Sequence, residues 1–150
     1  MPDVVDAATR SRMMSGITGR NTKPEIALRR ALHARGLRYR LHVKALQGRP
    51  DLVFPRHNAV VFINGCFWHG HTCSQFRLPG TRQEFWSAKI HGNRARDSRN
   101  VEALTLAGLR VLTVWECALR GPGRLGLDAT ADLAAEWIKG DSRLHEIRGS

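Results

Sequence analysis

The sequence predicts an α/β protein, with a mixed sheet sandwiched between helices. Three observations carry that expectation. Apolar residues alternate with polar ones, or run continuously, in four short segments bounded by Gly, Pro and Asn. Helical stretches with recognisable caps precede, separate and follow those segments. A length of 150 residues with 42% hydrophobic content suits one domain with a real core.

The elements follow in order. Residues 1–20 are a polar, basic lead-in, helical in part, with Met13, Met14 and Ile17 apolar. Thr22-Lys23-Pro24-Glu25 reads as a capping box that opens a helix, with Gly36 as its stop. Leu37, Tyr39, Leu41 and Val43 alternate with Arg38, Arg40 and His42, which predicts a strand with one polar face. Asp51–Phe54 and Ala59–Asn64 read as strands joined by a tight hairpin at Pro55-Arg56-His57-Asn58. Residues 65–80 are a loop rich in Gly, Cys and His. A second capping box, Thr81-Arg82-Gln83-Glu84, predicts a helix ending at Gly92, and a further helix over about Asn93–Ala107. Leu109–Glu116 is a buried strand, Gly121-Pro122-Gly123 a turn, and Asp128–Lys139 a last helix with Leu133 and Trp137 four residues apart.

Charge narrows the function. There are 24 Lys+Arg against 13 Asp+Glu, a formal net charge of +11. Residues 1–50 are net +8, residues 51–110 net +4, and residues 111–150 net −1. This asymmetry points to a polyanion, and nucleic acid in particular. No apolar run approaches the ~20 residues of a spanning helix. The N-terminal MPDVVDAATR is not a secretory signal, so the cytoplasm is expected. There, three cysteines read as metal ligands or free thiols rather than disulfides. Nothing signals an oligomer, and a monomer is expected.

Cys66, His71, Cys73 and Cys117 make a Cys₃His set that uses every cysteine, as a closed tetrahedral zinc site requires. His69 is the alternative fourth ligand. Zinc binding is worth ~10–16 kcal/mol, enough to fold a small loop that cannot fold unaided. Phe67 and Trp68, inside this loop, are candidates to wedge between bases or stack on them. The competing reading packs one ring beneath the loop. Trp86 is a third candidate, with a core position as its alternative. Asp51 opens a strand and Asn64 closes its hairpin partner, so their ends meet. That arrangement suits a Mg²⁺-dependent phosphodiesterase, in which carboxylate and carbonyl oxygens hold a hard cation. An Asx turn after Pro50 is the simpler use of Asp51. Glu25 serves its capping box or the site. His69 is a proton-transfer candidate if His71 takes the zinc.

The runs Gly48-Arg49-Pro50-Asp51, Val61–Cys73, Glu84-Phe85-Trp86 with Lys89, and Val111–Cys117 resemble the very short patch repair endonucleases, the Vsr family. The similarity spans about Asp3 to Gly140. It implies a restriction-endonuclease-like α/β/α core, a structural zinc and catalytic Mg²⁺. It implies nicking of duplex DNA 5′ to the T of a T:G mismatch left by deamination of 5-methylcytosine, alongside a cytosine-5 methyltransferase. By resemblance, Asp51 and the Ile63 carbonyl bind Mg²⁺, His69 is the catalytic histidine, and Glu25 is an acid near the metal. Cys66, His71, Cys73 and Cys117 bind zinc. Phe67, Trp68 and Trp86 form the wedge, and Met14, Lys89 and Asn93 approach the DNA. Residues 1–20 become a DNA-contacting arm, 21–140 the endonuclease domain, and 141–150 a polar tail. The best-known member has a Thr-His pair where this chain has Ile63-Asn64. Asn64 cannot shuttle a proton, although it can bind phosphate or water. Two rivals stand beside this reading: a zinc-stabilised DNA-binding module without catalysis, and a nuclease of the same fold that cuts fully paired sites.

Overall fold

A computed structural model describes residues 22–73 and 77–150. Met14 and the expected arm lie outside them. Five strands form one mixed sheet in the order β1-β2-β3-β4-β5. They are β1 (Arg40–Leu41), β2 (Leu52–Phe54), β3 (Ala59–Asn64), β4 (Arg110–Trp115) and β5 (Leu144–Ile147). The first three are antiparallel neighbours, whereas β3, β4 and β5 run parallel.

Strand alternation divides the core into two layers. Leu52, Phe54, Val61, Leu112 and Val114 face α1 (Lys23–Ala34) and α4 (Leu127–Lys139), against Leu28, Leu32, Ala131, Ala134 and Ile138. Val53, Val60 and Val111 face the opposite way and pack on Leu104 of α2 (Gln83–Leu106). Helices therefore cover both faces, as the sequence predicts. Arg35 at the end of α1 reaches Asp132 of α4 at 2.9 Å and ties the two helices together. A one-turn helix, α3 (Glu116–Leu119), follows β4 directly.

The helix at Thr22 forms as expected, with the Thr22 hydroxyl accepting from the Glu25 N–H at 3.4 Å. Several other expectations need correction. The strand predicted over 37–43 contracts to two residues, because Leu37 turns into the core and His42 leaves strand geometry at φ +48°. The two helices predicted around Gly92 are one helix of 24 residues. An interior glycine costs ~1 kcal/mol in a helix. Seating Ile90 and Leu104, both buried, outweighs that cost at ~2 kcal/mol each. Thr81 does not cap this helix; Arg82 is the N-cap and makes no side-chain capping bond. Of the two residues four apart on the last helix, Trp137 is buried and Leu133 is 45% exposed. Residues 141–150, read as a polar tail, include β5, which pairs with β4 from Val111↔Leu144 to Val114↔Ile147. Its first three residues are exposed, which removes the apolar alternation that signals a strand.

Candidate functional site

The parallel strands β3, β4 and β5 end together, and β2, antiparallel to β3, begins there. Asp51, Ile63, Asn64, Cys66, Cys117 and Gly149 thus gather at one end of the sheet. Two clusters of metal-ligating side chains occur among the described residues, and both lie at this end.

The first contains Cys66, His71, Cys73 and Cys117, whose ligand atoms all lie within 4.8 Å of one another. Cys66 Sγ and Cys117 Sγ each sit 3.5 Å from His71 Nδ1. Backbone N–H groups support the sulfurs: Cys117 donates to Cys66 Sγ at 3.3 Å and Gly149 to Cys117 Sγ at 3.4 Å. The His71 ring stacks on Trp115 at 4.0 Å with planes 5° apart. Burial pushes the His71 pKa down, with Arg148 acting the same way and Glu146 opposing, so the imidazole is held neutral, the form that binds metal. Burial pushes the Cys66 thiol up, against the pull of the Cys117 N–H. A cluster that must shed thiol protons in a buried place fits a soft cation that compensates them. The histidine of this group is His71; His69 is not part of it.

The loop between Cys66 and Cys73 is pressed onto α2. Gly70 has φ +61°, and a Cβ there would meet Ile90 Cγ2 at 2.5 Å and Arg94 Cδ at 2.7 Å, so only glycine fits. Asn93 donates to the Trp68 carbonyl at 2.8 Å, which holds the loop from below. Phe67, Trp68 and Trp86 then form a triangle of edge-on rings with centroids 5.1, 5.5 and 5.7 Å apart. Phe85 extends it, 5.3 Å from Trp86 and 47% exposed, with Arg82 over its ring. The sequence reading found the first three rings and missed Phe85. Its helical neighbours Arg82 and Trp86 are the signal that could have found it. Lys89, Arg94, Arg96 and Arg99 are exposed on the same helix.

His69 Nδ1 lies 2.5 Å from Asp97 Oδ2 of α2. Such a carboxylate fixes the orientation of an imidazole and leaves its other nitrogen for proton transfer. Sequence reasoning missed Asp97, because nothing local marks one acid on a basic helix as the partner of a residue 28 positions away. A cavity of about 730 Å³ opens beside the pair, lined in part by Phe62, Asn64, His69, Arg94 and Asp97.

The second cluster contains Glu25, His42 and Asp51. Asp51 Oδ2 accepts from the Ile63 N–H at 2.7 Å, which brings the backbone of residue 63 beside the carboxylate. Glu25 is 1% exposed and pairs with Arg29 at 2.9 Å. Burial raises the Asp51 pKa to about 7; the Ile63 N–H opposes this, and the nearby Glu25 carboxylate adds to it. A carboxyl held so far from its usual range by burial and a like charge is characteristic of functional sites. The structure thus joins Asp51, Glu25 and residue 63, as the sequence suggested, and adds His42, which alternation had assigned to a strand's polar face.

Comparison with known proteins identifies the family. The family model described as DNA mismatch endonuclease Vsr matches residues 2–75. The chain is 45% identical over 147 residues to the DNA mismatch endonuclease Vsr of Escherichia coli (strain K12), covering 98% of this chain and 94% of that protein. The chain belongs to the Vsr family. It is a strand-specific DNA endonuclease. Other similar proteins are the type II nicking enzymes V.XorIIP of Xanthomonas oryzae pv. oryzae and V.NmeAIP of Neisseria meningitidis serogroup A. The first is 47% identical over 83% of this chain and 92% of its own length. The second is 41% identical over 80% of this chain and 86% of its own. Vsr membership sets aside the alternative of a DNA-binding module without catalysis. Among the described residues no helix is long and apolar enough to cross a membrane.

Proposed function

We propose that this enzyme nicks duplex DNA 5′ to the T of a T:G mismatch arising from 5-methylcytosine deamination, with Mg²⁺ at Asp51 and a structural Zn²⁺ at Cys66, His71, Cys73 and Cys117. The observation that carries the reading is the aromatic triangle Phe67–Trp68–Trp86, braced on a cysteine clip within the loop that also presents His69. A wedge must be rigid, because unstacking a base step costs a few kcal/mol. A mismatched pair yields more readily than a paired one, so a braced wedge favours T:G over C:G.

The residues divide the work. Asp51 and the Ile63 carbonyl hold the cation, with Glu25 beside them. Mg²⁺, when bound, polarises the scissile phosphate and neutralises its developing charge. His69, oriented by Asp97, takes the proton of the attacking water. Asn64, on the wall of the same cavity, hydrogen-bonds phosphate or water. Phe67, Trp68 and Trp86 enter the duplex, while Lys89 and the arginines of α2 meet phosphates. Asn93 acts through its bond to Trp68 as well as by approaching the DNA. Met14 belongs to an N-terminal arm that contacts the DNA. The enzyme works as a monomer, alongside a cytosine-5 methyltransferase that supplies the deaminated base's precursor.

The test uses end-labelled duplexes that differ only in T:G or C:G, with and without Mg²⁺, and Asp51→Ala as a control. The expected result is a single nick in the T:G duplex, dependent on both Mg²⁺ and Asp51. Equal cleavage of both duplexes would sink the mismatch reading in favour of a nuclease for paired sites.

A further inference from the structure

His42 sits between two carboxylates. Its Nε2 lies 3.0 Å from Glu25 Oε2 and its Nδ1 lies 3.7 Å from Asp51 Oδ1. We propose that His42 Nε2 is a ligand of the cation held at Asp51, completing a Glu25–His42–Asp51 site that takes Mn²⁺ in preference to Mg²⁺. This rests on the reading of Asp51 as a cation ligand.

Four observations support it. The three residues each offer a ligand atom, and these lie within 4.8 Å of one another. Octahedral ligands at ~2.1 Å are spaced ~3 Å along edges and ~4.2 Å across, so the cluster needs little adjustment. Next, His42 Nε2 is buried and has no hydrogen-bond partner. Its approach to Glu25 is close, but the direction is wrong for a hydrogen bond. A buried polar nitrogen left unsatisfied costs ~1–3 kcal/mol, which a cation at that lone pair would recover. Third, His42 has φ +48°, an uncommon conformation for a residue with a side chain, and its N–H donates to the Asp51 carbonyl at 3.1 Å. The backbone thereby fixes the histidine to the aspartate it serves. Fourth, Glu25 and Asp51 have side chains only 2% and 15% exposed. Carboxylates so enclosed, on either side of an imidazole, make a concave set of donors of the kind a divalent cation takes.

The chemistry sets the preference. Mg²⁺ favours oxygen and gives up water reluctantly, whereas an imidazole donor suits first-row transition metals. Mn²⁺ is the one that also suits carboxylate and carbonyl oxygens.

The experiment uses the full chain with zinc in its cysteine clip and one equivalent of Mn²⁺. Pulsed EPR reads ¹⁴N coupling to Mn²⁺, and Mg²⁺ competition reads relative affinity. The expected result is a ¹⁴N coupling in the unmodified protein that survives His69→Gln and disappears in His42→Gln. Mn²⁺ affinity in His42→Gln falls on the order of tenfold, with little change for Mg²⁺. His42→Asn is a second variant should the first not fold, and the unmodified protein's spectrum depends on neither. Asp51-dependent Mn²⁺ binding without ¹⁴N coupling, or coupling that persists in both His42 variants, overturns the role of His42 alone. Mn²⁺ binding unaffected by Asp51→Asn overturns the Asp51 reading as well.

Discussion

Cys66, His71, Cys73 and Cys117 form a sulfur-rich cluster, whereas Glu25, His42 and Asp51, at the same end of the sheet, form a carboxylate-rich one. The first is supported from all sides, with backbone N–H groups on its sulfurs and Trp115 stacked on its histidine. The second places two carboxylates and an unsatisfied imidazole nitrogen together, and one carboxyl titrates near neutrality. On the proposed function, the difference separates a scaffold from a reaction site. In that reading one cluster would fix a loop, and the other would be relieved by a cation and a phosphate.

The largest effect is expected from breaking the scaffold. Cys117→Ser should lose zinc and unfold near room temperature, since the metal contributes about as much as a domain's whole stability, ~10 kcal/mol. Metal content and thermal unfolding check this, and a zinc-loaded, folded variant would refute the ligand set.

Asp51→Asn should behave oppositely. Nicking should fall by roughly 10³-fold, the rate equivalent of several kcal/mol of lost charge stabilisation, with the fold intact. Stability should even rise at neutral pH. The folded pKa of Asp51 is about 7 against 3.8 for the ordinary group. Between those values the unfolded chain gives up a proton that the folded chain keeps, so folding stability falls as pH rises through the window. The asparagine variant escapes that loss, and chemical denaturation at pH 4 and pH 8 without added divalent cation should show its advantage growing with pH. An advantage that shrinks with pH would contradict the burial of an Asp51 carboxyl.

Asp97→Asn sharpens the contrast at the proton-transfer group. It should lower the nicking rate on the order of 100-fold with DNA binding unchanged, because it removes the orientation of His69 and leaves the phosphate contacts. Equal rates for the two proteins would leave the 2.5 Å pair without a role. The smallest effect belongs to Arg94→Ala or Arg96→Ala, each of which should reduce the salt dependence of DNA affinity by about one phosphate contact.

The sequence made the Cys₃His cluster legible and part of the carboxylate cluster. Using every cysteine identified the cluster, because a soft-metal site selects residue types rather than positions. The hairpin brought the ends at Asp51 and Asn64 together, because strand register follows from its turn; the Ile63 carbonyl came only from the family resemblance. His42 and Asp97 were not legible. Each acts through a partner brought close by tertiary structure, and each sits in a local pattern with a sufficient ordinary explanation. Alternation accounted for His42, and a polar helix face accounted for Asp97. Gly92 misled because local propensity marks a break that packing of Ile90 and Leu104 overrides. Strand β5 was hidden because its pairing with β4 needs no apolar face at Leu144–Glu146.

Exchanging the two proposed metals independently tests the central contrast most directly. Cadmium is soft and replaces zinc at thiolates, while Ca²⁺ competes for the carboxylates. Nicking of the T:G duplex in Mg²⁺ should proceed at the same rate, within about twofold, with cadmium or zinc in the clip, and should stop in both when Ca²⁺ replaces Mg²⁺. A nicking rate that follows the metal in the cysteine clip, and ignores the one at Asp51, would contradict the division between scaffold and chemistry.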